Sequence, residues 1–303
     1  MGNSRKSALA VCSAIGLAFA AVGCSDTEEP QSKPADVAVP GVKIEVLSRG
    51  ATPQEPLVWF SQGGNQEVSF DATQGFEQHT KGNGKNSPDV AELDYDEVTM
   101  HLPLSAEAST DGKGRQSTVT VGKPSGTNED KNDDIATAEG FKISSEQDVD
   151  GRVTSRSYSA PDSASQTARA SVESALNQMN DFPIVFPTPA VGVGAKWTVS
   201  NRVDGDISMK QDITYTLLER QGQSVSLKVE VQRLPAVSTL AQTDLKVLSV
   251  NTESTGQIAL DLNKVLPTRG HINVKTKIIY GQDKSPVHVV QTTTSKSKWS
   301  PKQ

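Results

Sequence analysis

Hydrophobic and polar residues alternate with a period of two along most of the chain. Val42, Ile44 and Val46 alternate with Lys43 and Glu45. Val68, Phe70 and Ala72 follow, then Ala91, Leu93 and Tyr95. The phase slips at Asp96-Glu97 and resumes as Val98, Met100, Leu102 and Leu104. A one-residue slip turns the apolar set to the other face, so a bulge or turn is expected there. Further strands are predicted on Ile213, Tyr215 and Leu217, and on Val225, Leu227, Val229 and Val231, joined through Arg220-Gln221-Gly222-Gln223. Ile258, Leu260 and Leu262 form another, and Ile272, Val274, Ile278 and Tyr280 precede a turn over Gly281 to Ser285. The last strand begins at Val287 and Val289. One apolar and one polar face is the mark of antiparallel strands solvated on one side.

One segment departs from this period. Ala168, Val172, Ala175, Leu176 and Met179 fall on a single helical stripe, with Gln178 on the opposite face. Ser159, Pro161 and Asp162 supply start signals, and Pro183, Pro187 and Pro189 end the run, so one long helix is expected at about 162–180. Polar stretches at 79–89 and 122–138 read as exposed loops. The acidic run Asn128 to Asp134 lacks the glycine and distal glutamate of a calcium loop, so it reads as solvated. The fold expected is mainly β, with twisted or curved antiparallel sheets, half-barrel or sandwich-like, and that one long helix.

The N-terminus has the form of an address. Arg5 and Lys6 precede an apolar run from Ala8 to Val22. That run is shorter than the roughly 20 residues of a spanning helix and fits a secretory signal. It ends in Ala21-Val22-Gly23-Cys24, which resembles a bacterial lipobox. The resemblance implies cleavage after Gly23, lipidation of Cys24 and a lipid-anchored position on the extracytoplasmic face of the cell membrane. Cys12 would leave with the signal, so no internal disulfide is expected. Residues 1–23 are thus a signal peptide, and 24–40 are the lipidated cysteine and a Pro-rich tether. Residues 41–303 are a single β-rich domain, with strand-rich halves 41–158 and 195–298 joined by the helix.

Composition narrows the function. The 303 residues carry 30 Lys and Arg against 36 Asp and Glu, a net charge of −6. A pI near 5.3 argues against nucleic acid as a partner. No catalytic signature is found. The four histidines, His79, His101, His271 and His288, make no metal-ligand spacing. If Tyr280 pairs near Val287, His288 lies opposite Ile279, far from His271. Ser295-Lys296-Ser297-Lys298 has a Ser-x-x-Lys spacing without its supporting motifs. Gly192-Val193-Gly194 lacks the third glycine and the strand-to-helix setting of a dinucleotide loop, and its glycines instead let the backbone turn tightly beneath Trp197. No cofactor, metal or catalytic residue is expected.

Several segments together resemble a family of uncharacterised lipoproteins from high-GC Gram-positive bacteria. The most specific is Pro187 and Pro189 running into Val191-Gly192-Val193-Gly194-Ala195-Lys196-Trp197 after the helix. Others are Gly50-Ala51-Thr52-Pro53 with Pro56-Leu57, Ile213 to Leu217, Leu260-Asp261-Leu262 to Leu266-Pro267, and Gln291 to Thr294. The resemblance implies an extracytoplasmic lipoprotein domain and no known activity. The function expected is a non-enzymatic binding or scaffolding module of the cell envelope, with unknown ligand-binding residues. Its partners are the membrane through Cys24, and envelope proteins, cell-wall polymer or lipid. The alternatives are a carrier of lipid or another apolar ligand between sheet and helix, and an enzyme with an unrecognised active site.

Overall fold

A computed structural model describes residues 34–60, 64–82, 90–110, 114–204, 208–239, 244–282 and 287–302, with residues 90–95 described by their backbone alone. Cys24, Ala21, Val22, Gly23, the signal sequence and the tether as far as residue 33 lie outside the described residues. Residues 32–303 form one compact unit. Among the described residues no helix is long and apolar enough to cross a membrane.

The fold is mainly β. Two short edge pieces, β1 (Ala35–Asp36) and β2 (Lys43–Ser48), open the chain. The long strands β3 (Gln66–Gly82) and β4 (Val90–Thr110) follow, then β5 (Arg115–Val121) and β6 (Ser125–Gly126). After a short helix, α1 (Asn132–Ile135), come β7 (Lys142–Gln147) and β8 (Val153–Ser159). The second helix, α2 (Gln166–Asn180), leads to β9 (Lys196–Val203), β10 (Met209–Gln221) and β11 (Ser224–Pro235). The chain ends in β12 (Lys246–Asp261), β13 (Arg269–Gly281) and β14 (Val287–Pro301). All strands join one antiparallel sheet in the order β1-β8-β7-β5-β4-β3-β14-β13-β12-β11-β10-β9-β2, with β6 on β4.

Each half of the chain is a meander. The halves are fused by β14 lying along β3, from Val287 opposite Gly82 to Pro301 opposite Val68. The sheet does not close: β1 and β2 are its two edges. Those edges are separated by only residues 37–42 of the chain. Six extended residues reach at most about 25 Å between Asp36 and Lys43. A flat sheet of thirteen strands in sequence would hold its edges roughly 58 Å apart at about 4.8 Å per strand. The sheet must therefore curl until the strap between β1 and β2 can reach both edges.

The curl surrounds the core. Alternate residues of β10 and β11 point inward, and Ile213, Tyr215, Leu217, Val225, Leu227, Val229 and Val231 are all buried. Phe70, Leu102, Leu104, Trp197 and Phe186 join them with the apolar stripe of α2 in one cluster. Along β14 and β3 the inward face becomes mixed, while β13 stays apolar through Ile278 and Tyr280 apart from Thr276. Thr276 lies opposite Thr293, and Gln291 opposite Gln78, whose Oε1 accepts from Gln291 Nε2 at 2.7 Å.

Several expectations are corrected. The one long helix expected at about 162–180 is not found: among the described residues there are two short helices, of four and fifteen residues, and only α2 falls within that span. Pro161 to Ser165 stay outside α2 because the Ser165 side chain caps it, accepting from Ala168 N at 3.0 Å. The stretch 122–138 is no simple loop: it carries β6, α1 and two short 3-10 turns, and buries Ile135 and Ala138. Tyr280 pairs with Val289 and His288 with Gly281, so the last hairpin runs two residues out of the expected register. The slip at Asp96-Glu97 is a bulge inside one continuous strand, facing Gly75 between the pairs Gln74–Val98 and Phe76–Tyr95.

The Gly-Val-Gly segment is a packing device. Gly192 N donates to Arg49 O at 2.9 Å and Ala51 N to Val193 O at 2.8 Å. A Cβ on Gly192 would lie 1.8 Å from Ala51 O, so only glycine permits this approach. Gly194, with φ of +84°, turns the chain into β9. There Trp197 stacks on Tyr215 at 5.7 Å and donates to Val185 O at 2.9 Å.

Candidate binding cleft

Because the sheet wraps around α2, more of the helix than its apolar stripe is covered. Gln178, expected on the open face, is 3% exposed. It faces β3 and β14, and its Nε2 donates to Lys296 O at 2.9 Å, to Ser297 Oγ at 3.2 Å and to Thr73 O at 3.4 Å. Two of these acceptors are carbonyls, which fixes the orientation of the amide. Its Oε1 is buried with no hydrogen-bond partner. A buried acceptor in that state costs about 1–3 kcal/mol.

The polar face of α2 lines a cleft of about 690 Å3 against the inner wall of the sheet. Glu173, Ser174, Asn177 and Gln178 come from the helix, and Gln74, Phe76, Thr293 and Ser295 from β3 and β14. Gln74 Nε2 spans the gap to Ser174 Oγ at 3.3 Å. The bulge in β4 brings Asp96 to the cleft beside Val98. Met209 and Ile278 add an apolar wall, part of a small cluster with Tyr280.

The cleft reaches its most polar point where α2 ends. Asp181 N donates to Asn177 O at 2.9 Å, and Asp181 O accepts from Gln211 Nε2 at 2.7 Å and Asn201 Nδ2 at 3.2 Å. Arg233 Nε donates to Gln211 Oε1 at 2.7 Å, and the guanidinium lies 5.6 Å from the Phe182 ring centre. Arg233 is 8% exposed, and its Nη2 is buried without a partner. On the other side Tyr158 OH donates to Asn177 Oδ1 at 2.6 Å and accepts from Asn180 Nδ2 at 3.1 Å. Burial pushes the Asp181 carboxyl up to about 7, against the pull of Arg233 and Arg156, and with Asp204 adding to the rise. Burial likewise works against the charges of Arg233 and Arg156, which Asp181 partly offsets.

A second cleft of about 310 Å3 lies beneath the strap, between Val37 to Val42 and Arg152, Arg156 and Asn201. It shares Asn177, Asp181 and Asp204 with the first, so Asp181 stands at their junction.

The other residues singled out from sequence do not converge on this cleft. His101 Nδ1 lies 2.9 Å from Asp71 Oδ1, and His271 is opposite Lys298 in the ladder. His79 faces Val290 and His288 faces Gly281. In the Ser-x-x-Lys segment, Lys296 and Lys298 pair with Glu97 and Asp71, while Ser297 is buried against Gln178. Sequence reasoning missed Gln178, Asp181 and Arg233. The available signals were a glutamine one residue from the stripe and an arginine at an inward position of β11.

Residues 167–267, from the first turn of α2 to the turn after β12, match a family of unknown function, DUF6263. No curated protein matches the chain. Over that third of its length the chain is similar to a family that carries no assigned activity.

Proposed function

We propose that this protein is a non-enzymatic binding module of the cell envelope, anchored to the membrane through Cys24, with the cleft beside α2 as its ligand site. The sheet is read as a half-barrel with α2 seated in its concavity. The observation that carries the reading is the cleft of about 690 Å3 itself, walled on one side by α2 and on the other by β3 and β14.

The four carboxylates in the lining, Asp96, Glu173, Asp181 and Asp204, favour a ligand with polar groups over a bare acyl chain. The apolar stripe of α2 packs into a filled core, with Ala168, Val172 and Leu176 fully buried. The open volume lies on the helix's other side, where carboxylates, amides and hydroxyls share the lining with Phe76, Val98, Met209 and Ile278. Native mass spectra of the full chain, purified gently in mild detergent from its membrane, test this reading. A small polar species should be retained, without acyl lipid in the cleft. A bare mass, or stoichiometric acyl lipid beyond that on Cys24, overturns it. Anchoring is tested separately by feeding a tagged fatty acid: Cys24→Ala should abolish labelling, and equal labelling of the two chains removes the anchor.

A further inference from the structure

We infer that a second site, separate from the cleft beside α2 and independent of that reading, takes a small monocarboxylate, of the size of acetate or propionate, between Arg115 and Arg156. Both arginines line an inner cavity of about 100 Å3 beside the end of α2, together with Trp59, Met179, Phe182 and Leu266. Among the described residues its lining holds two guanidiniums and no carboxylate. A small space with two positive charges and no negative one calls for an anion.

Neither arginine has a counter-ion of its own. Arg115, on β5, is 3% exposed. Its Nε donates to Gln147 Oε1 at 3.2 Å and its Nη1 to Lys264 O at 3.0 Å, and the guanidinium lies 4.8 Å from the Trp59 ring centre. All three partners are neutral. Its Nη2 makes no bond among the described residues and, unlike Gln178 Oε1, is not sealed off. Burial alone pushes this guanidinium down to about 10, with no carboxylate countering it, so it stays charged at neutral pH. Desolvating a charge without pairing it is costly, and such charges are rare inside proteins. Arg156, on β8, is half-buried and makes no side-chain hydrogen bond or ion pair among the described residues. Burial works against its charge, with Tyr158 and Asp181 favouring it, but Asp181 lies outside the lining.

Size and walls then select the anion. The N–H groups of a guanidinium match the planar oxygens of a carboxylate. The cavity equals the share of about three waters, at about 30 Å3 each, which leaves room for a carboxylate with a methyl or ethyl group. Met179, Phe182 and Leu266 suit that apolar end and give no donor to the further oxygens of a phosphate. A bare halide would leave the apolar part of the space unfilled. The cavity shares Val153, Arg156, Asn180 and Pro183 with the cleft beneath the strap. The ligand therefore enters under the strap, with Arg156 at the threshold and Arg115 inside.

The experiment is calorimetric titration of the full chain in mild detergent with sodium propionate, at an ionic strength held by MES, whose ring is too bulky for the cavity. One saturable site is expected. Arg156→Gln should weaken it by about tenfold or more, through loss of a charged donor. Because Arg156 holds no partner, that variant should keep the parent's circular dichroism and its urea midpoint. Arg202→Gln, in the exposed pair with Asp204 at the same strap cleft, should bind as the parent does. Absence of saturation means a cavity filled by water alone and overturns the site. Unchanged affinity in Arg156→Gln, or equal weakening in Arg202→Gln, overturns the place given to Arg156. Chloride or phosphate titrating as tightly as propionate overturns the carboxylate. The cleft beside α2 stands or falls by its own native mass spectra.

Discussion

At the scale of single residues, the polar groups inside this protein divide into those whose needs are met and those whose needs are not. Tyr215 is fully buried, yet its OH donates to Pro183 O at 3.0 Å. Gln66, 6% exposed, is likewise satisfied by Val265 N, Leu266 N and Leu266 O. Asp181 is different, because its side chain is held in a setting that disfavours its charge. Its folded value, about 7, lies above the ordinary 3.8. Between those values the folded chain keeps a proton that the unfolded chain has released. Stability therefore falls as pH rises through that window and levels off above about 7. At about 1.36 kcal/mol per unit the upper bound is roughly 4 kcal/mol, which partial solvent access reduces. Asp181→Asn should match the parent at pH 4, where the carboxyl is already neutral, and exceed it at pH 8. Urea titrations at both values check this, and parallel profiles would show that Asp181 is not desolvated. Nothing in the sequence around Asp181 signals that shift, since its causes sit on β8, β11 and the segment after β9.

At the scale of elements, local pattern carried strands well and helix surroundings poorly. The phase slip at Asp96-Glu97 was legible because a bulge is written in the strand's own alternation. The stripe of α2 was equally legible, since Ala168, Val172, Ala175, Leu176 and Met179 are all buried. The burial of Gln178 was not, because a hydrophobic stripe assumes a flat neighbour, and this sheet curves around the helix. The energetic contrast follows. Leu176→Ala should cost about 2–5 kcal/mol, a cavity in a filled core. Gln178→Ala should also be costly, by about 1–3 kcal/mol, because Lys296 O and Ser297 lose their donor. Gln166→Ala, at an exposed position in the first turn, should stay within about 0.5 kcal/mol. Denaturant midpoints for the three variants give the order directly. A Gln178→Ala midpoint as close to the parent as that of Gln166→Ala would mean that the sheet does not grip this side of α2.

At the scale of the whole molecule, what could not be read was which strands meet across the chain. Periodicity reports the face a residue occupies, not its partner, so neither the β3–β14 seam nor the two edges could be placed. The strap makes those edges unequal in consequence. On β8, β1 contributes two ladder pairs and the Val37 N to Arg156 O bond, with Ala35 and Asp36 exposed and Val37 half-buried, although Tyr158 opposite Ala35 is buried. On β9, β2 covers the strand that carries Trp197 and Val199, both fully buried, and adds Ile44 to the core. Arg152 Nη1, just before β8, holds the end of the strap next to β2 through Val42 O at 2.8 Å. Removal of residues up to 37 should therefore leave a folded chain, weakened by about 1 kcal/mol, with faster amide exchange confined to β8 around Arg156 and Tyr158. Removal through residue 48 should expose Trp197, cost several kcal/mol and leave β9 as an open edge. Tryptophan emission and hydrogen exchange distinguish the two. If both truncations behave alike, the strap does not hold the two edges of the sheet together, and the curl must be set by the strands themselves.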